Sequence, residues 1–220
     1  MDSQRLPLKI LKKINEKTIL NHISDRMKKV NDIDQILLVT GDYQKNALLI
    51  KEAQKLGLDF FSGSENNVLD RFNQASNKFG IDIIIRVTGD NPLIDYSLIN
   101  AGLKIFLKNN YDLVSNNRKQ TFPIGYNFEI FTRTALHNSW LKQKNLIGED
   151  EFFSTFISPS IDMLKSDSLN QFDLLNDKNL SDLRLSIDTA QDFDKISKIF
   201  GKLYTKNPFF ELNDVLKFLN

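Results

Sequence analysis

The stretch Ile83-Ile84-Ile85-Arg86-Val87, followed without a break by Thr88-Gly89-Asp90-Asn91-Pro92, constrains this chain more than any other feature. A nearly unbroken apolar run of strand length suits a parallel β-strand covered on both faces. Pro92 stops the strand from continuing, and the residues between form a polar loop. In open α/β sheets, ligands gather beyond the carboxyl ends of the strands. Gly89 there lets the backbone approach a ligand closely, and Asp90 carries a carboxylate into the same crevice. Taken alone, the segment has a simpler account as a turn aspartate ahead of a helix.

Strand-length apolar runs alternate with helical periods along the rest of the chain. Further strands are expected at Ile36–Thr40, Asp59–Phe61, Tyr111–Ser115, Asn127–Phe131 and Leu183–Ile187. Helices are expected over about Gln44–Leu56 with Gly57 as stop, Val68–Phe79 ended by Gly80, and Ser97–Asn109. Thr132 is a candidate cap for a helix carrying Ala135, Leu136, Trp140 and Leu141, and Glu151–Leu164 reads as partly helical. Thr189-Ala190-Gln191-Asp192 resembles an acidic capping box, and Asn213 is a candidate cap for a last short helix. This alternation predicts a single α/β domain over residues 1–220, with a mostly parallel sheet and helices on both faces. Met1 to Lys9 reads as a loop with no strand before it.

Composition narrows the chemistry. Lys and Arg total 29 against 28 Asp and Glu, so the net charge is +1 and any anion site must be local. Nucleic acid is therefore not expected as a partner. There is no cysteine, which excludes thiolate catalysis and cysteine-ligated metals, and the two histidines, His22 and His137, show no metal-ligand spacing. No apolar run reaches the length of a membrane span and no signal peptide opens the chain, so a soluble cytoplasmic protein is expected. Of the seven arginines, Arg5, Arg71, Arg86 and Arg184 lie beside motif-like segments, whereas Arg26, Arg118 and Arg133 read as solvated surface.

Ser186-Ile187-Asp188-Thr189 repeats the pattern of strand, aspartate and helix start. Asp188 can be a simple cap. Together, however, Asp90 and Asp188 offer two carboxylates at two strand ends, a donor set suited to Mg²⁺, which keeps its other positions for water and phosphate oxygens. Arg5-Leu6-Pro7-Leu8-Lys9 places two positive charges about a stiff proline, an arrangement able to clamp a triphosphate. Gly63-Ser64-Glu65 turns into a helix carrying Arg71, which as an ordinary helix start would hold only an exposed salt bridge worth under about 1 kcal/mol.

Taken together, these segments resemble the cytidylyltransferase family that includes CMP-Kdo synthetases, acylneuraminate cytidylyltransferases and the spore-coat polysaccharide protein F group, the last most closely. Arg5-Leu6-Pro7-x-Lys9 resembles its phosphate loop, and Gly63-Ser64-Glu65 with Val68-Leu69-Asp70-Arg71 its second signature. Arg86 to Asp95 matches its most diagnostic stretch, and Thr121-Phe122-Pro123-x-Gly125 with Glu129-Ile130-Phe131 resembles its sugar-side segment. Leu183-Arg184 to Asp188-Thr189 and Asp192-Phe193 matches its acidic C-terminal motif.

The resemblance implies a Rossmann-like nucleotidyltransferase fold of the GT-A type. It implies a reaction in which a sugar-acid hydroxyl attacks the α-phosphorus of CTP, giving a CMP-sugar and pyrophosphate for surface polysaccharide assembly. On that pattern Arg5, Lys9 and Asp90 are the catalytic set. Ser3, Arg5, Lys9, Arg71, Gly89 and Asp90 hold the nucleotide, Asp90 and Asp188 hold Mg²⁺, and Pro123, Gly125 and Glu129 face the sugar. Relatives imply a homodimer through the region 122–164, where Phe128, Phe131, Trp140, Phe152, Phe153 and Phe156 supply apolar surface, although core filling accounts for most of them more simply.

There are departures from the pattern. The family has a hydrophobic strand ahead of its phosphate loop, and this sequence starts inside the loop, so the expected sheet lacks that strand. Leu8 stands where glycine is common, and Asp2 where glycine is frequent. Pro123-Ile124-Gly125-Tyr126-Asn127 replaces a frequent Pro-Asp-Gly-Leu-Asp, losing two carboxylates, and Thr155-Phe156 stands near the place of a Glu-His pair. Two other readings are compatible with this sequence: a non-catalytic relative acting as a nucleotide-binding or assembly partner, and another nucleotide-sugar transferase on the same scaffold.

Overall fold

The computed structural model describes residues 6, 8–159, 163, 166 and 168–219, with the backbone alone for residue 150. Ser3, Arg5 and Pro7, and part of the expected helix at 151–164, lie outside the described residues. Lys9–Leu11 forms a 3-10 turn, followed by a hairpin of β1 (Lys13–Ile14) and β2 (Lys17–Thr18), and α1 (Ile19–Met27). Next come β3 (Leu37–Thr40), α2 (Ala47–Lys55), β4 (Asp59–Ser62), α3 (Val68–Phe79), β5 (Ile83–Val87) and α4 (Tyr96–Lys108). The second half holds β6 (Leu113–Ser115), β7 (Phe128–Thr132), α5 (Arg133–Ile147), α6 (Glu149–Ser154), β8 (Gln171–Asp173), α7 (Ala190–Leu203) and α8 (Leu212–Leu219).

The expected mostly parallel sheet is not observed. The largest sheet has the order β5-β7-β6-β8, with β7 antiparallel to both neighbours and β6 parallel to β8, so it is mixed. β3 and β4 form a separate parallel pair. The physical reason lies between β6 and β7: no helix connects them, and a chain without a crossover returns antiparallel. β5 therefore has an antiparallel partner and only one of them among the described residues, and its apolar run is half-buried, with Ile83 39% exposed. Leu183–Ile187 is not a sheet strand either; it makes one isolated parallel bridge, Ile124 to Arg184.

Helices do cover both faces. Along β6 and β7, alternate side chains separate two cores. Val114, Phe128 and Ile130 join α1, α4 and α7 through Ile23, Ile99, Leu103 and Phe200, whereas Leu113 and Phe131 join α3, α5 and α6 through Leu69, Leu136 and Phe152. Each fully buried side chain of this kind contributes about 1.5–3 kcal/mol of transfer free energy. Gly102 lets α4 settle onto β7, because a Cβ there would stand 2.8 Å from the Phe128 ring. Thr132 caps α5 through its side-chain oxygen, and Thr189 and Asp192 form the expected reciprocal capping box of α7. Asn213 does not cap α8. It lies inside the helix, whose first N–H, that of Leu212, donates to the buried Asp95 carboxylate at 2.8 Å. Among the described residues no helix is long and apolar enough to cross a membrane.

Arg26 is also not on the surface. It is buried, donates to the carbonyls of Phe210 (2.9 Å) and Ile94 (3.4 Å), and lies over the Phe210 ring. One turn earlier, His22 packs against Phe200 and Tyr204 and its Nε2 donates to the Ile14 carbonyl at 2.8 Å. Burial pulls the His22 pKa below its ordinary value, and the charges of Arg26 and Lys17 act the same way against Asp25. The folded state thus holds His22 neutral where the unfolded chain takes a proton. Its contribution to stability is complete above the unfolded value near 6.5 and is lost as pH falls below it. Thermal unfolding monitored between pH 7.5 and 5.5 should show a falling midpoint, with a shallower slope in His22→Gln than in the wild type.

Candidate active site

The loops beyond β3 and β4 meet at one end of their parallel pair. Ser62 donates to the Gly41 carbonyl at 2.7 Å, and the Glu65 carboxylate accepts the Asp42 N–H at 2.8 Å. Arg71, on α3, donates to the carbonyls of Ser64 and Glu65 at 3.1 Å each, so it holds the Gly63–Glu65 turn. Gly63 permits this, since a Cβ there would fall 2.7 Å from the Arg71 Cβ. Burial draws the guanidinium pKa down, opposed by Glu65, and its Nε is buried with no partner among the described residues.

Asp90 lies in the loop after β5, and its conformation is set locally. Thr88 donates its hydroxyl to Asp90 Oδ1 at 2.6 Å, and the Asn91 side chain donates to that hydroxyl oxygen at 2.9 Å. The Ile187 N–H donates to the Asp90 carbonyl at 2.9 Å, which joins this loop directly to the segment carrying Asp188. Asp188 sits just before the α7 cap, and its own N–H donates to Asp192 at 3.0 Å. Burial pushes the Asp192 carboxyl up, but the N–H groups of Asp188 and Thr189 outweigh it and hold the pKa below the usual carboxylate value.

Lys9 closes the group. Its ammonium donates to Asp188 Oδ1 (2.9 Å), the Ile187 carbonyl (2.8 Å) and Asp90 Oδ2 (3.4 Å). The other Asp188 oxygen pairs with Arg184. Three segments remote in sequence thus place two carboxylates about one cation. Gly89 permits this closure: Ile10 Cδ1 lies 2.8 Å from where a Gly89 Cβ would stand. Leu8, at the position where the family favours glycine, adopts a left-handed backbone with φ 52°.

The segment expected on the sugar side pairs with the residues that lead into Asp188. Ile124 N–H donates to the Leu183 carbonyl at 3.0 Å, and Leu185 N–H to the Ile124 carbonyl at 2.7 Å. Pro123 and Gly125 are buried, and Gly125 has φ 114° with the Leu185 backbone 2.5 Å from its absent Cβ, so only glycine fits. Asn127 donates at 2.6 Å to both Asn117 and Gln120. Glu129 differs from the expectation of a residue facing the sugar. It is buried, with Oε2 accepting from Arg86 at 2.7 Å and Oε1 from Asn117 at 3.1 Å. The reason is register: Arg86 and Glu129 stand opposite each other on β5 and β7.

Comparison with known proteins bears on this arrangement. A family model described as cytidylyltransferase matches residues 1–215. The chain belongs to the cytidylyltransferase family. It is 34% identical over 191 residues to the uncharacterized protein MJ1063 of Methanocaldococcus jannaschii, covering 87% of this chain and 76% of that one. It is 25% identical over 226 residues to the spore coat polysaccharide biosynthesis protein SpsF of Bacillus subtilis, covering 100% and 90%. A solved cytidylyltransferase from Leptospira borgpetersenii superposes with a TM-score of 0.86 at 28% identity, over 100% of this chain and 90% of the other. The structure brings Lys9, Asp90 and Asp188, from three separate motif segments, into contact. Sequence reading gave no role to Arg184, Thr88 or the Ile187 carbonyl. The four-residue spacing of Arg184 and Asp188 was the available signal for the first, and Thr88 two residues before Asp90 for the second.

The Arg86–Glu129 pair yields a direct test. Glu129→Gln removes the charge opposite a partly buried guanidinium and should cost about 1.5–3 kcal/mol in urea unfolding, the scale of a hydrogen bond to a charged group. A side chain that served only the sugar would leave the unfolding midpoint in place.

Proposed function

We propose that the protein transfers CMP from CTP to a hydroxyl of a sugar acid, Kdo-like or nonulosonate-like, in surface polysaccharide biosynthesis, with release of pyrophosphate. The observation that carries this reading is the meeting of Lys9, Asp90 and Asp188 about one point, on elements whose motifs the family uses for its nucleotide. In such displacements protein groups position and neutralise charge rather than bond covalently. The donor set suits Mg²⁺, because both carboxylates are hard oxygen ligands and a positive charge already lies between them. Asp90 and Asp188 would hold the ion, which when bound neutralises the phosphates as pyrophosphate departs.

The remaining roles follow from position. Thr88 and Asn91 orient the Asp90 carboxylate, and Arg71 steadies the Gly63–Glu65 turn at the nucleotide side. The bridge between Ile124 and Arg184 supports a position for the sugar acid beside Asp188. Arg5, with Ser3, would hold the triphosphate by family resemblance. Asn127, where a carboxylate is frequent, lowers the negative charge facing an acidic sugar.

Pyrophosphate release should be CTP-dependent with Mg²⁺ and a 2-keto-3-deoxy sugar acid. Asp90→Asn and Asp188→Asn should each lower kcat/KM by about 10²–10³-fold, the scale of losing one preorganised electrostatic contact, with the far-UV spectrum unchanged. No release with any acid of a broad panel would count against this reading, and preferred turnover of UTP or GTP would move it to another nucleotide-sugar transferase.

We also propose a homodimer. Phe128, Phe131 and Phe152 are core residues, but Phe153, Phe156 and Leu146 remain exposed about α5 and α6, and an apolar patch of this kind suits a second copy. Light scattering should report a dimer, and Phe153→Asp with Phe156→Asp should give a monomer. A monomeric wild type would overturn the assignment.

A further inference from the structure

We infer that Lys9 and a divalent cation compete for the same carboxylate oxygens, so that seating the cation on Asp90 and Asp188 and releasing the Lys9 ammonium to an anionic ligand form one coupled event. This deepens the metal reading of the pair given above and rests on it.

The contacts of Lys9 carry the argument. A lysine ammonium has three donors, and in this structure they face three oxygens: Asp188 Oδ1, the Ile187 carbonyl and Asp90 Oδ2. None remains for a phosphate in this geometry. A Mg²⁺ ion sits about 2.1 Å from each oxygen that it binds. An ion shared by Asp90 and Asp188 would stand close to the position of Nζ, which lies 3.4 and 2.9 Å from those carboxylates. Two cations do not occupy such neighbouring positions, so the ammonium moves when the metal arrives.

Charge says where it goes. Among the described residues Asp90 and Asp188 pair with Lys9 and Arg184, Arg184 taking the Asp188 oxygen opposite the one that Lys9 contacts and also reaching Asp192 at 3.8 Å. Adding a divalent cation raises the local charge by two and makes the freed ammonium a strong anion-binding group. A triphosphate is such an anion, and Lys9 reaches it from a four-carbon stem rooted on the Lys9–Leu11 turn. The coupling is reciprocal: an anion that draws Lys9 away uncovers the carboxylates for the metal, and the metal releases Lys9 to the anion. Lys9 thereby acts as a positioning residue whose two partners alternate.

The test is Mn²⁺ binding to the full chain without nucleotide, followed by calorimetry and by the electron paramagnetic resonance signal of free Mn²⁺. Lys9→Met and Lys9→Gln should bind Mn²⁺ more tightly than the wild type, by roughly 5–150-fold, the span of ordinary coupling energies. Adding Asp188→Asn to either should remove that gain. The same variants should bind CTP less tightly in the presence of the metal. Equal or weaker Mn²⁺ affinity in both Lys9 variants, with Asp188→Asn still abolishing binding to the wild type, overturns the competition and leaves the metal reading intact. Mn²⁺ binding indifferent to Asp90→Asn and Asp188→Asn overturns both.

Discussion

One backbone hydrogen bond, from the Ile187 N–H to the Asp90 carbonyl, is the contact on which the candidate site depends. It joins the loop after β5 to the segment before α7, and so brings the two aspartates together without any side chain having to do it. Each end is stiffened by its own local chemistry: the Thr88–Asn91 turn at one side, the Thr189–Asp192 capping box at the other. Asp188 therefore approaches the start of a 14-residue helix, where the peptide dipoles favour negative charge. The acidic pair is held by backbone geometry first and by Lys9 second.

That order explains the conformation of the N-terminal turn. Lys9 reaches the pair only because the chain folds tightly over Gly89, with Ile10 placed against the glycine Cα. The tight approach runs through Leu8 at φ 52°, a left-handed conformation that is costly for a branched side chain. Strain of this kind persists where surrounding contacts determine it, and it concentrates at ligand clamps. The three contacts of the Lys9 ammonium are the contacts available to hold it here.

The sequence made the acidic pair and most element positions legible because both are local signals. Val68–Phe79, Gly80 in its left-handed cap and the Thr189–Asp192 box follow from short-range chemistry and appear as read. The parallel sheet was a long-range inference and failed. Its warning was present, because Tyr111–Ser115 and Asn127–Phe131 were placed as successive strands with no helix between them, the mark of an antiparallel return. The β1–β2 hairpin escaped notice because its turn, Asn15-Glu16, is carried at positive φ by residues other than glycine. β8 escaped because Gln171–Asp173 is three residues long with a single apolar one. Arg26 read as surface because composition cannot show that two aromatic rings, Phe200 and Phe210, close over it. The reading of Glu129 as sugar-facing came from its motif neighbours, whereas its partner Arg86 is set by strand register, which only the fold reveals.

The antiparallel strand that overturned the sheet prediction also accounts for the layout of the site. In a parallel sheet every strand delivers its carboxyl end to the ligand crevice, so functional loops follow strands. β7 runs the other way. Its first residue, Phe128, lies opposite Val87 at the end of β5, and Glu129 lies opposite Ser115 at the end of β6. The loop that reaches the crevice is thus the one before β7, which is Pro123–Asn127. Gly125 is then required by the Leu185 backbone against it, and that contact aligns the loop with the segment that continues into Asp188. A reversed central strand thus lets one short run of chain, Pro123–Asn127, lie beside the segment that continues into Asp188 and stay bonded to it through the Ile124–Arg184 bridge.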